Sequence, residues 1–388
     1  MNILIVGAGV AGLTLAYWLE RQGHQPVILE RAGHLRDNGF IIDFFGPGYA
    51  VAEKMNLLPD LISLQCPTER MAFVDATGHE RFSISLAALR TSLIPRGISI
   101  LHGDLVRLLY QAVKAHVPVQ FGTSVASLEQ DATGVGVTLT DGTSRVFDLV
   151  VGADGVHSHV RQLLFGNEEQ FSRFLGCYTA AFVTRDLPLQ HNTVYMLAVP
   201  GRQIMVYPID EERFATLFAH QTSRQLDTHS REAVERELEA ISGHMGWIAP
   251  ALLEQARRVD HIYFDTASQI LLPHWSKGWV TLVGDACQCV SLVVGRGASL
   301  SMGNAYRLAH ELASATTAQV TEALARYEHR VKPGIERTQR LGQRQVWLFL
   351  PDTRLHMLMR DMFFRLLAWP AFGFLAKRSL DLSEGLKL

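Results

Sequence analysis

The feature that most constrains the fold is a glycine triplet, Gly7-x-Gly9-x-x-Gly12, set between an apolar run and a helix-length segment. Residues 2–6 are short, apolar and rich in β-branched side chains, which reads as a buried parallel strand. Residues 13–22 read as a helix stopped by Gly23, and residues 26–30 as the next strand. In such a βαβ unit the first glycine permits the tight turn out of the strand. The second lets the backbone approach a pyrophosphate, and the third lets helix and strand pack closely. Phosphates would lie at the helix N-terminus, where free N–H groups and the helix dipole favour negative charge. Glu30 ends the second strand, where a carboxylate can accept both ribose hydroxyls of an adenosine. The triplet alone is a weak signal; its position between strand and helix, with that carboxylate following, makes it specific.

The uncharged run from Ile3 to Leu19 invites a second reading, as a leader or a membrane span. It is short for a span, no basic segment precedes it, and no small-residue cleavage site follows. The strand–turn–helix reading is therefore preferred, and no stable membrane insertion is expected. The chain has 388 residues, enough for two domains. Its formal net charge of −2 supplies no basic field for nucleic acid. The four cysteines (Cys66, Cys177, Cys287 and Cys289) show neither a Cys-x-x-Cys pair nor a metal spacing with histidine. They are expected as buried thiols in a reducing cytoplasm, and no metal site is expected.

Further along, residues 36–49 are glycine- and aromatic-rich and read as a loop, and residues 49–58 as a helix. Residues 73–85 read as two short strands around Gly78, and residues 104–116 as an amphipathic helix. Asp141-Gly142 marks a hairpin, and residues 147–151 form another buried strand. Four antiparallel strands are expected between residues 178 and 220, then a helix over 231–241. Buried-strand composition returns at 279–283, followed by a small-residue helix over 298–315 and a mostly helical remainder. The expected fold is α/β. A Rossmann-type nucleotide domain comes from 1–70, 96–170 and 271–388, with C-terminal helices. A mixed β-sheet substrate domain comes from 71–95 and 171–270.

Two more strand ends carry turn chemistry. One runs from Asp148 through an apolar stretch to Asp154-Gly155 and on to Arg161. The other runs from Trp279 to Gly284-Asp285, then Gly295-Arg296-Gly297-Ala298. An Asp after such a strand can bind a sugar hydroxyl, and the next helix N-terminus can face an anionic or electron-rich ring. Taken singly, each is equally a plain turn.

The three segments in this order resemble the class A flavin monooxygenases of the para-hydroxybenzoate hydroxylase type, above all the shorter aromatic-hydroxylating and tetracycline-inactivating members. The resemblance spans roughly residues 2–351. It implies FAD as cofactor, with Gly7, Gly9, Gly12 and Glu30 at its adenosine end and Arg31 beside them. Asp154 and Gly155 would lie where FAD and the reduced nicotinamide cofactor, NAD(P)H, approach one another. Asp285 would bind the ribityl chain, and Gly295, Gly297 and Ala298 would face the flavin ring. Arg36 and Asp43 match an Arg and Asp of the loop that covers the flavin. His102 stands where the family usually has Arg. Val290, Leu292, Arg296 and Asn304 also depart from the family pattern, replacing two prolines, a Gln and an Asp.

The activity so implied is hydroxylation of a hydrophobic aromatic or polycyclic substrate by molecular oxygen and NAD(P)H, with no protein nucleophile. Two alternatives stay open at this level: a non-redox cyclisation or rearrangement in natural-product biosynthesis, and a non-catalytic flavin or ligand carrier. Phe44, Phe45, Tyr195, Met196, Met205, Tyr207 and Phe218 are candidates for an aromatic-substrate pocket or, equally, for sheet core. His157 and His159 read as surface-turn residues. The aromatic stretch from Phe363 to Phe374 reads as packing onto the body, with a membrane or partner contact as the other possibility.

Overall fold

The computed structural model describes residues 1–35, 40–93, 96–131, 134–223 and 230–367. In chain order the first half holds β1 (Asn2–Val6), α1 (Val10–Arg21), β2 (Gln25–Glu30), β3 (Ile41–Phe45), α2 (Pro47–Lys54), α3 (Leu58–Ser63), β4 (Arg70–Val74), β5 (Glu80–Ser85), α4 (Leu86–Leu93), β6 (Gly97–Leu101), α5 (His102–Val113), β7 (Val119–Phe121), β8 (Val125–Asp131), β9 (Gly134–Leu139), β10 (Ser144–Phe147), β11 (Leu149–Gly152) and α6 (His159–Phe165). The second half holds β12 (Ser172–Arg185), β13 (Thr193–Val199), β14 (Arg202–Pro208), β15 (Arg213–Gln221), α7 (Arg231–Ser242), α8 (Ala249–Ala256), β16 (Tyr263–Ile270), β17 (Ser276–Lys277), β18 (Val280–Leu282), α9 (Asp285–Gln288), α10 (Gly297–Leu312), α11 (Val320–Phe349) and α12 (Arg354–Leu367).

A six-stranded sheet of order β17-β18-β11-β1-β2-β7 forms the centre of one layered unit, parallel apart from β17. Ile3, Leu4, Ile5, Leu149, Val150 and Val280 are almost completely buried, as expected for strands covered on both faces. Helices α1, α5 and α10 pack together in this unit. The antiparallel meander β10-β9-β8 contributes Val135, Val137 and Leu139 to the same core. Here the strand and hairpin expectations match, including the β9–β10 turn at Asp141-Gly142.

The second sheet has seven strands in the order β16-β12-β15-β14-β13-β4-β5 and is mixed, because β13 and β4 run parallel. Its residues alternate between two environments with the period of two that a strand imposes. Ile204 and Val206 pack with Val234, Leu238 and Leu252 of α7 and α8. Met196 and Met205 look the other way, into a cluster with Phe73.

Several boundaries differ from the expectations. Residues 41–45 are a strand paired antiparallel with β6, not part of a loop; Asp43 breaks the apolar signal there. Helix α1 starts at Val10, three residues early, because Gly9 is its N-cap. The helix expected over 49–58 is α2, shifted towards Pro47, which opens it. The first antiparallel strand extends back to Ser172 through a register shift between Phe174 and Tyr178.

Candidate active site

Parallel pairing brings the C-terminal ends of β1, β11 and β18 to one edge. The ladder runs on past the strands: Gly7 N donates to Leu29 O at 2.7 Å, Ala153 N to Val6 O at 2.8 Å and Val283 N to Gly152 O at 2.9 Å. The three sequence segments are thus stitched side by side, at the place where open α/β sheets bind ligands. A cavity of about 720 Å³ opens there and continues to the inner face of the seven-stranded sheet.

The glycines divide by cause. Gly7 has φ +113°, and a Cβ on it would lie 2.4 Å from Ala153 O. A Cβ on Gly12 would lie 2.0 Å from Gly7 O. Both are needed for the fold to close. A Cβ on Gly9 meets nothing within 4 Å, yet Gly9 lines the cavity and caps α1 without a side-chain hydrogen bond. The first N–H groups of α1 are therefore open to an anion. Glu30 accepts from Ala8 N and Ala32 N, both at 2.9 Å, one on each carboxylate oxygen. That fixes the carboxylate beside the glycine turn and leaves lone pairs on both oxygens.

Asp285 opens α9 and faces the cavity. No described residue donates a hydrogen bond to its carboxylate, and burial pushes its pKa up to about 6. Asp154 differs: its oxygens accept from Ser158 Oγ at 2.5 Å and Val160 N at 3.0 Å, so it shapes the turn into α6. Asp43 accepts from Ser99 Oγ at 2.5 Å. Gly295 holds a left-handed conformation, and Gly297 begins α10 without a side-chain cap. His102 is the first residue of α5 and stacks on Phe40 with ring centroids 4.7 Å apart. Arg31, Asp43, His102, Asp154, Gly295 and Ala298 all line the cavity. Gly12 lies behind its wall, and Arg36 falls outside the described residues.

Two groups of residues were not assigned a role from sequence. His157 lies in an exposed turn, as expected, but it is also clamped there, Nδ1 to Glu168 at 2.9 Å and Nε2 to Asp265 of β16 at 3.1 Å. Those bonds, to Asp265 first, hold it protonated with a pKa of about 10. Arg161 is fully buried and donates to Ala286 O, Val156 O and Glu168. It thereby ties the Asp154 turn to the Asp285 turn. The Asp154–Arg161 spacing was visible, but its long-range partners were not.

The pocket candidates separate by strand face. Met196, Met205 and Tyr207 line the cavity, joined by Met71, Gln203 and Leu217. Phe44 and Phe218 are core, Tyr195 packs on Trp247, and Phe45 lies under the Arg296 guanidinium. Phe364 packs on Phe73 and reaches the cavity; Trp369, Phe372 and Phe374 lie outside the described residues. No helix among the described residues is long and apolar enough to cross a membrane. No group of residues among them could hold a metal ion.

Residues 57–341 match the FAD binding domain family, and residues 5–52 match the NAD(P)-binding Rossmann-like domain. A flavin-dependent monooxygenase from an unknown prokaryotic organism is 31% identical over 90% of this chain and 89% of its own length. The chain belongs to the class A flavin-dependent monooxygenases. An uncharacterized protein of Mycobacterium tuberculosis is 38% identical over 81% of this chain and 85% of its own. Among solved structures, the tetracycline destructase Tet(51) superposes with a TM-score of 0.83 at 28% identity, covering 97% of each chain.

This monooxygenase is an FAD-dependent oxidoreductase, and its cavity fits the cofactor. An uncapped helix N-terminus, the Asp285 carboxylate without a described donor and the Glu30 carboxylate beside the glycine turn face one continuous space. The departures from the family pattern fall in two places. Val290 and Leu292 are part of the cavity wall. Arg296 covers Phe45 instead. Asn304 is buried, its amide donating to Gln288 Oε1 at 2.6 Å, in a network that continues to Tyr327. Neither Arg296 nor Asn304 is among the cavity-lining residues.

Proposed function

We propose that this monooxygenase hydroxylates a hydrophobic aromatic or polycyclic substrate, with NAD(P)H as reductant and molecular oxygen as co-substrate. The observation that carries this reading is the continuity of one cavity from Gly9 and Asp285 to the methionine-rich face of the second sheet. Cofactor and organic substrate then share one enclosed space. Likeness to a tetracycline destructase over nearly the whole chain supports a polycyclic substrate class.

In this reading Gly7, Gly9 and Gly12 let α1 present its N-terminus to the pyrophosphate, and Glu30 and Arg31 meet the adenosine end. Asp285 accepts from ribityl hydroxyls. Gly295, Gly297 and Ala298 keep the approach to the ring free of side chains, with the α10 N-terminus beside it. Arg36, Asp43 and Asp154 belong to the side from which the nicotinamide approaches, an Arg being suited to its phosphates. The cofactor-binding body is made by 1–70, 96–170 and 271–388, and the substrate sheet by 71–95 and 171–270.

Bound FAD supplies the electron transfer and oxygen activation, which no side chain here can perform. The chain's own residues orient and exclude water. Met71, Met196 and Met205 offer flexible, polarizable contacts to a planar ring system. Burial and the nearby Asp43 push the Tyr207 phenol up, so it stays protonated and serves as a hydrogen-bond donor or acceptor. The test is incubation with NADPH, oxygen and tetracycline or other polycyclic phenols. Accelerated NADPH oxidation and a product one oxygen heavier support the reading. Substrate-independent NADPH oxidation across the panel, with every substrate recovered unchanged, contradicts it.

A further inference from the structure

We propose that His102 is a positioning residue for FAD, an uncharged imidazole that donates Nε2–H into the cofactor cavity while Nδ1 stays buried and bare. The inference rests on the assignment of this cavity to FAD and specifies how one residue of its wall meets the cofactor.

The geometry sets the roles of the two nitrogens. Nδ1 is buried without a hydrogen-bond partner among the described residues. Nε2 is not buried in that way, has no described protein partner, and belongs to a side chain that lines the cavity. The plane of the ring is held by stacking. One face lies on Phe40 with centroids 4.7 Å apart and planes 27° apart, and Phe40 is itself backed by Tyr263 at 5.3 Å. The backbone is pinned too, because His102 N donates to Phe40 O at 3.0 Å.

A neutral imidazole carries one proton, on one nitrogen or the other. Placed on Nδ1, it would be a buried donor with no acceptor among the described residues, an arrangement that folded proteins rarely keep. Placed on Nε2, it belongs to the nitrogen that is not sealed, on a side chain that lines the cavity. Burial also pulls the imidazole down to about 4, so a second proton is not held near neutral pH. The result is a short, oriented, uncharged donor. It suits an oxygen of the cofactor as acceptor and adds no positive charge to the site.

The two amides separate the nitrogens, since Gln extends its NH₂ towards the Nε2 position and Asn towards the Nδ1 position. Apoprotein variants would be titrated with FAD by flavin fluorescence, alongside a thermal melt of each apoprotein. His102→Gln is expected to bind FAD within about threefold of the parent. His102→Asn and His102→Ala are expected to bind about three- to tenfold more weakly, the loss of one neutral hydrogen bond. Nitrogen-15 histidine spectra of the intact protein, with this signal identified from its loss in His102→Gln, should show the Nε2–H tautomer at neutral pH and a shift on adding FAD. An Nδ1–H tautomer, an imidazolium, a signal that ignores FAD, or Asn matching Gln overturns the inference. If the parent binds no FAD, the cofactor assignment of the cavity fails instead; if FAD binds equally well to parent and Ala variant, only the role of His102 fails.

Discussion

Replacing Asp285 by Asn should make the empty protein more stable and the cofactor complex weaker. The carboxylate is half-buried in the cavity wall, has no described hydrogen-bond donor, and is raised by burial from 3.8 to about 6. A group with a raised acidic pKa binds its proton more tightly folded than unfolded, so the fold loses stability as pH rises from about 3.8 to 6 and stays at the lower level above that. Two pKa units correspond to about 3 kcal/mol, and water in the cavity reduces this to about 1–3 kcal/mol. Asn removes the charge with little change in shape. The Asp285→Asn apoprotein at pH 7.5 is therefore expected to gain stability of that order, with the gain vanishing below pH 4. FAD binding should weaken about tenfold in the same variant, since a charge-assisted hydrogen bond is worth ~1.5–3 kcal/mol and Asn keeps one acceptor. Urea titrations at both pH values and FAD titration at pH 7.5 measure the two effects. Unchanged stability together with unchanged FAD affinity would mean that Asp285 is solvated and does not meet the cofactor.

The remaining expectations use other parts of the site. Gly12→Ala should fail to give folded protein, because its Cβ has only 2.0 Å to Gly7 O. Gly9→Ala should fold with near-parental circular dichroism and lose FAD, and a Gly9→Ala protein that stays yellow would separate the glycine turn from the pyrophosphate. Glu30→Ala should weaken FAD binding about ten- to a hundredfold; unaltered affinity would leave Glu30 a purely structural brace for Ala8 and Ala32. His157, raised to about 10 by Asp265 and Glu168, adds stability that is complete below pH 6.5 and lost as pH rises through 10. His157→Gln should therefore flatten the alkaline fall in melting temperature, and identical profiles would refute the clamp. Met196→Trp should raise KM for a bulky substrate far more than it alters FAD affinity, because Met196 lines the cavity from the second sheet.

Much of the cofactor side was legible because βαβ geometry fixes spacing. Once Gly7, Gly9 and Gly12 sit between a strand and a helix, the turn, the helix N-terminus and the position of Glu30 follow from local rules. The same logic located Asp285 at a strand end. Strand alternation could have sorted the cavity-facing side chains of the second sheet. Met196 and Met205 belong to one face and Tyr195 to the other, but choosing which face meets the cavity required the position of α7 and α8. The His157 clamp was not legible, since Asp265 lies 108 residues further along the chain. Ion pairs between distant segments leave no periodic trace. The sequence shows the departures from the family pattern at Arg296 and Asn304 but not which way their side chains turn. In the fold one side chain covers Phe45 and the other joins a buried amide network, because the turn and helix rotate them away from the cavity.

The most direct test of the account is the fate of molecular oxygen. The purified, FAD-loaded protein would be given NADPH, a polycyclic aromatic substrate that accelerates NADPH oxidation, and oxygen enriched in its heavy isotope, with a parallel anaerobic reaction. The account predicts a product carrying one heavy oxygen atom, about one NADPH consumed per product, and no conversion without oxygen. Conversion that proceeds anaerobically, with no added oxygen in the product, would contradict it.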